Sequence, residues 1–248
     1  EAVPIWGWAE AGEAVTVEFQ GKKVSAKAGK DGRWEVKLPA FKANSKGAKL
    51  TIKGSNEIVL EDVLVGEVWL CSGQSNMEWT VSRSSNAKEE IANGKHPLIR
   101  HIKVPHRPSD KPETDVKTSG WQVCSPGTVA NFTAVGYYFA RHLMQELDVP
   151  VGLLGSNWGG TRIEPWIPPV GFKAVPALKE SHADKLAEFP QKRGNRINHQ
   201  SPLALYNGMI SPLVPYGIRG AIWYQGESNN GEGNLYHEKM KALIAGWR

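Results

Sequence analysis

The chain has 248 residues, 40% hydrophobic and 22% charged, with a net charge of +5. This composition fits one or two ordinary folded domains and excludes disordered and collagen-like classes. Lys and Arg are scattered among Asp and Glu instead of forming a basic stripe, so nucleic acid is not an expected partner, and no apolar run approaches the roughly twenty residues that cross a bilayer.

In chain order, the runs "AVTVEFQ" (14–20), "KKVSAKA" (22–28), "RWEVKLP" (33–39), "AKLTIKG" (48–54) and "EIVLEDVLV" (57–65) alternate apolar and polar residues. Gly21, Lys30-Asp31-Gly32 and Gly54-Ser55-Asn56 punctuate them as turns. Residues 1–60 are therefore expected to form a small antiparallel β-sandwich, and residues 61–248 a second domain. There the pattern becomes a strand ending at Cys71, a helix with Asn86 as N-cap, a strand at 97–104, a helix at 132–147, and strands at 151–156 and 218–225. Such alternation predicts a parallel sheet with helices on both faces. Cys71 and Cys124 lack metal-ligand spacing and are too few for a disulfide framework; Cys71 reads as a small buried hydrophobe. The chain opens on Glu-Ala-Val-Pro, so any signal peptide is expected to have been removed.

In parallel sheets ligands bind beyond the carboxyl ends of the strands. Three such positions carry chemistry: Gly73-Gln74-Ser75-Asn76, then Asn157-Trp158-Gly159-Gly160-Thr161-Arg162, then Gly226-Glu227-Ser228-Asn229-Asn230. Taken singly, each also reads as a turn, with Gly159-Gly160 supplying positive φ and Asn76 or Asn229 capping a helix. Three converging at one end of a sheet point to a site.

The segments "GEVWLCSGQSNMEW", "GLLGSNWGGTRIEPW", "LYNGMISPL" and "WYQGESNN" resemble, in order, the motifs of the sialate O-acetylesterase family, a carbohydrate-esterase branch of the SGNH hydrolases. The stretch from "VPIWGWAEAGEAVTVEF" through "DGRWEVKLP" is similar to the β-sandwich preceding the catalytic domain there. The resemblance implies a flavodoxin-like three-layer α/β/α domain, removal of O-acetyl groups from sugars by a serine, no metal or organic cofactor, and a secreted, periplasmic or lysosomal-type compartment. Ser75 is then the nucleophile that forms an acyl-enzyme. The oxyanion donors expected are the Ser75 N–H, a backbone N–H from Gly159 or Gly160, and the Gln225 side-chain amide. Gln74, Asn76, Trp158, Arg162 and Glu227 complete the expected substrate-binding set. Glu227 reads as a loop-orienting acceptor of backbone N–H bonds, with an acid or base role as the alternative.

A nucleophilic serine needs a base, and the Asp-x-x-His of the SGNH pattern is absent from these 248 residues. His101 and His142 read as structural, His237 as exposed, and His199 as the one histidine near the site. The sequence thus predicts that the Asp/His pair and a fifth strand lie in a C-terminal complement outside this chain. Trp79, Trp158 and Trp166 are candidates to stack on a sugar; Trp69 and Trp223 read as core. Arg162 suits a sugar carboxylate or an ion pair with Glu164 or Glu78. Asn131-Phe132-Thr133 is a glycosylation sequon, but Asn131 reads as a helix cap. A carbohydrate-binding protein without a working base, or a purely structural module, are the competing classes.

Overall fold

The computed structural model describes residues 1–187 and 196–248. The N-terminal part holds β1 (Val3–Trp8), β2 (Ala14–Phe19), β3 (Lys22–Lys27), β4 (Arg33–Leu38), β5 (Asn44–Lys53) and β6 (Glu57–Val65). Five of these match the alternating runs; β1 was not singled out, its pattern being blurred by Pro4 and two tryptophans. β1 and β4 form one antiparallel pair, and the order β3-β2-β5-β6 forms an antiparallel four-stranded sheet. Val15, Val17 and Phe19 of β2, Trp34, Val36 and Leu38 of β4, and Leu50 of β5 share one buried cluster. The period-2 pattern thus turns alternate residues of both sheets into a common core. The boundary near residue 60 falls inside β6. This edge strand is kinked: Asp62 adopts a positive φ of 54°, and the pairing with β5 shifts register twice. Arg100 grips the kink through the Asp62 carbonyl and carboxylate, both at 2.6 Å.

The second sheet contains β7 (Glu67–Gly73), β8 (His96–Lys103), β9 (Gln122–Cys124), β10 (Val151–Asn157) and β11 (Gly220–Tyr224) in the order β11-β7-β10-β8-β9. β7, β8, β10 and β11 are the expected parallel strands; short antiparallel β9, pairing β8, was not foreseen. The flavodoxin comparison needs correction. In the flavodoxin order the first strand lies between the second and third, whereas here β7 lies between β10 and β11. The difference lies on the far side of β7, where β11 takes the place that the second strand has in that order. The β7–β10 neighbourhood is common to both, and here Glu67 N–H donates to Pro150 O at 2.9 Å, with a glycine at 66 letting the Pro150 carbonyl approach closely. The start of β10 is thereby pinned beside the start of β7.

The helices are α1 (Ser75–Glu78), α2 (Ala87–Ala92), α3 (Ala134–Leu147), α4 (Pro169–Ala174), α5 (Pro176–Ala187) and α6 (Asn234–Trp247). Cys71 and Leu153 pack with Tyr137 and Ala140 of α3, while their neighbours Leu70 and Leu154 pack with Phe172 of α4 and Ala242 and Leu243 of α6. Adjacent strand residues thus bury opposite faces, giving three layers. Cys71 and Cys124 are free and buried, and desolvation pushes the Cys71 thiol up to about 12.

Local chemistry departs from the sequence reading at several points. Asn86 precedes α2 but is left-handed and makes no side-chain cap bond. The cap of α3 is Thr133, not Asn131: its hydroxyl accepts from Gly136 N–H and donates to Met77 O at 2.6 Å, while Asn131 is exposed in the preceding turn. His142 is exposed on α3, so it has no core role, whereas His101 is buried and stacked on Phe132 at 4.8 Å.

Two outcomes follow for stability. Thr133→Ala should cost about 1–2 kcal/mol in urea unfolding, and Asn131→Ala less than about 0.5 kcal/mol. Burial, aided by the Lys103 charge, lowers the His101 pKa to about 3, so the folded ring stays neutral. An unfolded histidine titrates near 6.5, so between pH 6.5 and 3 the unfolded state binds the extra proton and stability falls as pH drops. His101→Phe should flatten this part of the pH dependence when unfolding is compared at pH 7 and pH 5.

Candidate active site

Strand β7 is paired on both sides, so its carboxyl end meets those of β10 and β11. Gly73, with φ 131°, lies so near the Tyr224 backbone that a Cβ there would overlap the Tyr224 carbonyl. Gln74 N–H donates to Tyr224 O at 2.9 Å and Trp158 N–H to Gly73 O at 3.0 Å, stitching the three loops together. Ser75 follows as the first residue of α1 and is exposed. Its N–H is among the unpaired donors of a helix start. A Cβ on Gly159 would stand 3.2 Å from Glu78 Oε2 and 3.4 Å from Ser75 Cβ, so this turn lies against both residues.

Each expected site residue has a definite place. Gly159 does not offer its N–H to a ligand: it donates to Glu78 Oε2 at 2.7 Å. Gly160 has the positive φ, 74°, is exposed, and its N–H has no partner among the described residues. Gln225 is buried, its amide donating to Thr161 O at 3.1 Å and Asn229 Oδ1 at 2.8 Å while its oxygen accepts from Tyr236 at 2.9 Å. With both amide hydrogens engaged, it joins loops instead of facing Ser75. Gln74 is also buried, and its side-chain oxygen accepts from the Gly226 and Ser228 N–H groups at 3.5 and 3.3 Å. Asn76 donates to Glu227, which orients a loop through a side-chain amide instead of the backbone N–H expected. Asn229 caps no helix; it links Ile163 N–H, Gln225 and Glu164.

Arg162 pairs with Glu232 and, at 3.8 Å, with Glu164; Glu78 is not its partner. Beneath them Lys239 of α6, only 2% exposed, donates to Glu164 and Glu232 at 2.6 Å each. Burial opposes the charge on Glu164, but Lys239 and Asn229 outweigh it and keep the carboxyl below its usual range.

The aromatic residues divide differently from expectation. Trp166 is fully buried, bonded to Thr161 Oγ1, and belongs to the core. Trp158 stacks with His106 (4.2 Å, 4° between planes) and with His199 (5.2 Å, 21°), so its ring is engaged by imidazoles instead of standing free for a sugar. Trp79 is exposed, with Arg83 over its ring at 3.9 Å. His199 is near the site as expected, but sequence reading missed His106, which pairs with Glu78 at 2.8 Å. The strand-end rule, extended to the loop after β8, was the signal that pointed to it.

A three-layer α/β chain with an exposed serine after a central strand and two glycine-bearing loops beside it has the layout of a hydrolase that works at the carboxyl ends of its strands. A family model described as carbohydrate esterase, sialic acid-specific acetylesterase, matches residues 65–248, and the chain belongs to that family. It is 34% identical to the sialate O-acetylesterases of Rattus norvegicus and Homo sapiens, over 98% of its own length and 52% and 49% of theirs. A crystal structure of a carbohydrate acetylesterase from Xanthomonas citri is 36% identical with a TM-score of 0.85, covering 100% of this chain and 53% of that one. The chain thus spans about half the length of the curated relatives it matches.

Gln225→Ala should destabilise the protein by about 1–3 kcal/mol, because Tyr236, Asn229 and Thr161 each lose a buried partner. Calorimetry beside steady-state kinetics checks this. A fall in kcat with an unchanged melting temperature would return Gln225 to the oxyanion role.

Proposed function

We propose that this chain carries the nucleophile of a serine esterase that removes O-acetyl groups from carbohydrates. The observation that carries the reading is the exposed Ser75, set at the end of β7 against the Gly159-Gly160 turn. Ser75 Oγ attacks the acetyl carbonyl, the sugar hydroxyl leaves, and water hydrolyses the acyl-enzyme. The tetrahedral oxyanion is met by the Ser75 and Gly160 N–H groups, neither of which has a partner among the described residues, while Gln225 and Gln74 hold the loops in register. Asn76, Glu227 and Arg162 line the approach and take the sugar's polar groups. The relatives' names support an acetylated sugar, of which a sialic acid is one choice.

The general base, in this proposal, is an Asp/His pair from a complement that packs beside β11. Three observations support it: no hydrogen bond joins a histidine to the exposed Ser75 among the described residues, Tyr224 on the edge strand β11 is 46% exposed, and the relatives are about twice as long. Ser75→Ala should lower kcat/KM for p-nitrophenyl acetate by roughly 10³-fold or more, and should abolish labelling by a fluorophosphonate, with circular dichroism unchanged. Retained hydrolysis and labelling would remove Ser75 from the mechanism. A carbohydrate that binds the wild type without being hydrolysed would favour the binding-protein alternative.

A further inference from the structure

Glu78 follows Ser75 by three residues, so one turn of α1 sets both side chains on the same side. Its carboxylate is the meeting point of the loops after β7, β8 and β10. Oε2 accepts the Gly159 N–H at 2.7 Å; Oε1 accepts from His106 Nε2 at 2.8 Å and from Lys103 Nζ at 3.3 Å. His106 Nε2 also lies 3.1 Å from the Asn157 carbonyl, and Lys103 reaches the same carbonyl at 3.4 Å and the Asn157 side chain. Asn157 in turn donates to Cys71 O at 3.0 Å, tying the cluster to the central strand. Because Glu78 and the Asn157 carbonyl only accept, Nε2 of His106 carries the hydrogen, and the ring's orientation is fixed by its stacking on Trp158.

We propose that Glu78 is a positioning residue for Ser75: its carboxylate clamps the Gly159 peptide against the nucleophile, and Lys103 and His106 lock the carboxylate in that orientation. The inference rests on the reading of Ser75 as nucleophile. Drawing the Gly159 N–H toward Glu78 leaves the next residue, Gly160, with an N–H that has no partner among the described residues. The bond is charge-assisted, and therefore stronger than one between neutral groups. Burial opposes the charge on Glu78, but the His106 hydrogen bond, Lys103 and the Gly159 N–H hold its pKa down to about 2, so the clamp persists across the neutral range.

The test uses the intact protein that contains this chain, with wild type and Ser75→Ala as references. Glu78→Ala should lower kcat for p-nitrophenyl acetate roughly a hundredfold, as a displacement of about 1 Å does, with KM within about twofold. Fluorophosphonate labelling of Ser75 should slow in parallel, and the Gly159 amide should exchange faster with deuterium. Glu78→Gln keeps an acceptor oxygen and should restore a large part of both. If Glu78→Ala does not fold, His106→Phe, which keeps the ring stack and removes the donor, should show the same pattern to a smaller degree. Unchanged kcat and unchanged Gly159 exchange, or a loss confined to KM, would overturn the proposal. An inactive, unlabelled wild type would instead overturn the esterase reading, and Gly159 exchange alone would then decide whether the clamp exists.

Discussion

At Gly73 the backbones of β7 and β11 approach until no side chain fits between them, and the arrangement of the site depends on that contact. The pairing Tyr224↔Gly73 brings the 225–232 loop to the serine, just as Asn157↔Gly73 brings the 157–164 loop from the other side. A residue with a Cβ would push one flank away and separate loops that share more than half a dozen hydrogen bonds. The glycine is therefore a requirement of the sheet's centre, and only indirectly of chemistry.

Around this contact the polar groups are engaged in two clusters. One is anionic at its centre, with Glu78 between Lys103 and His106; the other sets Lys239 and Arg162 against Glu164 and Glu232. A buried lysine is tolerable only because two carboxylates and their own partners surround it, and removing one member would strand charge in a poorly solvated place. The loops are held by side chains far apart in sequence, so their shape does not rely on local turn preference. That suits a site whose donors must stand ready before a ligand arrives.

Strand ends, turn glycines and the central serine were legible because each leaves a local mark: an apolar run, a break, an exposed polar residue after it. The strand order was not, since nothing local shows that Pro150 docks at Gly66 and places β10 between β7 and β8. Nor were the partners of long side chains. Gln225 and Gly159 look like free donors when read alone, and only the fold reveals Asn229, Thr161 and Glu78 as their acceptors. Trp158 shows the same limit: its place beside the motif suggested a stacking platform, while His106 and His199, some fifty and forty residues away, stack with its ring. Lys239 lies on a helix whose pattern gives no hint that a cation is buried beneath two loops.

The kink at Asp62 has a consequence for how copies of the molecule meet in concentrated solution. Ile58, Val59 and Leu60 leave β6 with an open apolar edge, the kind of strand onto which another chain can align. The left-handed turn at Asp62 and the slipped register against β5 bend that edge after a few residues, and Lys49–Glu61 and Lys53–Glu57 place charges along it. An intruding strand finds too short a straight template to continue, so the bend that Arg100 holds from the α/β layer also guards the N-terminal sheets against growing into fibrous stacks.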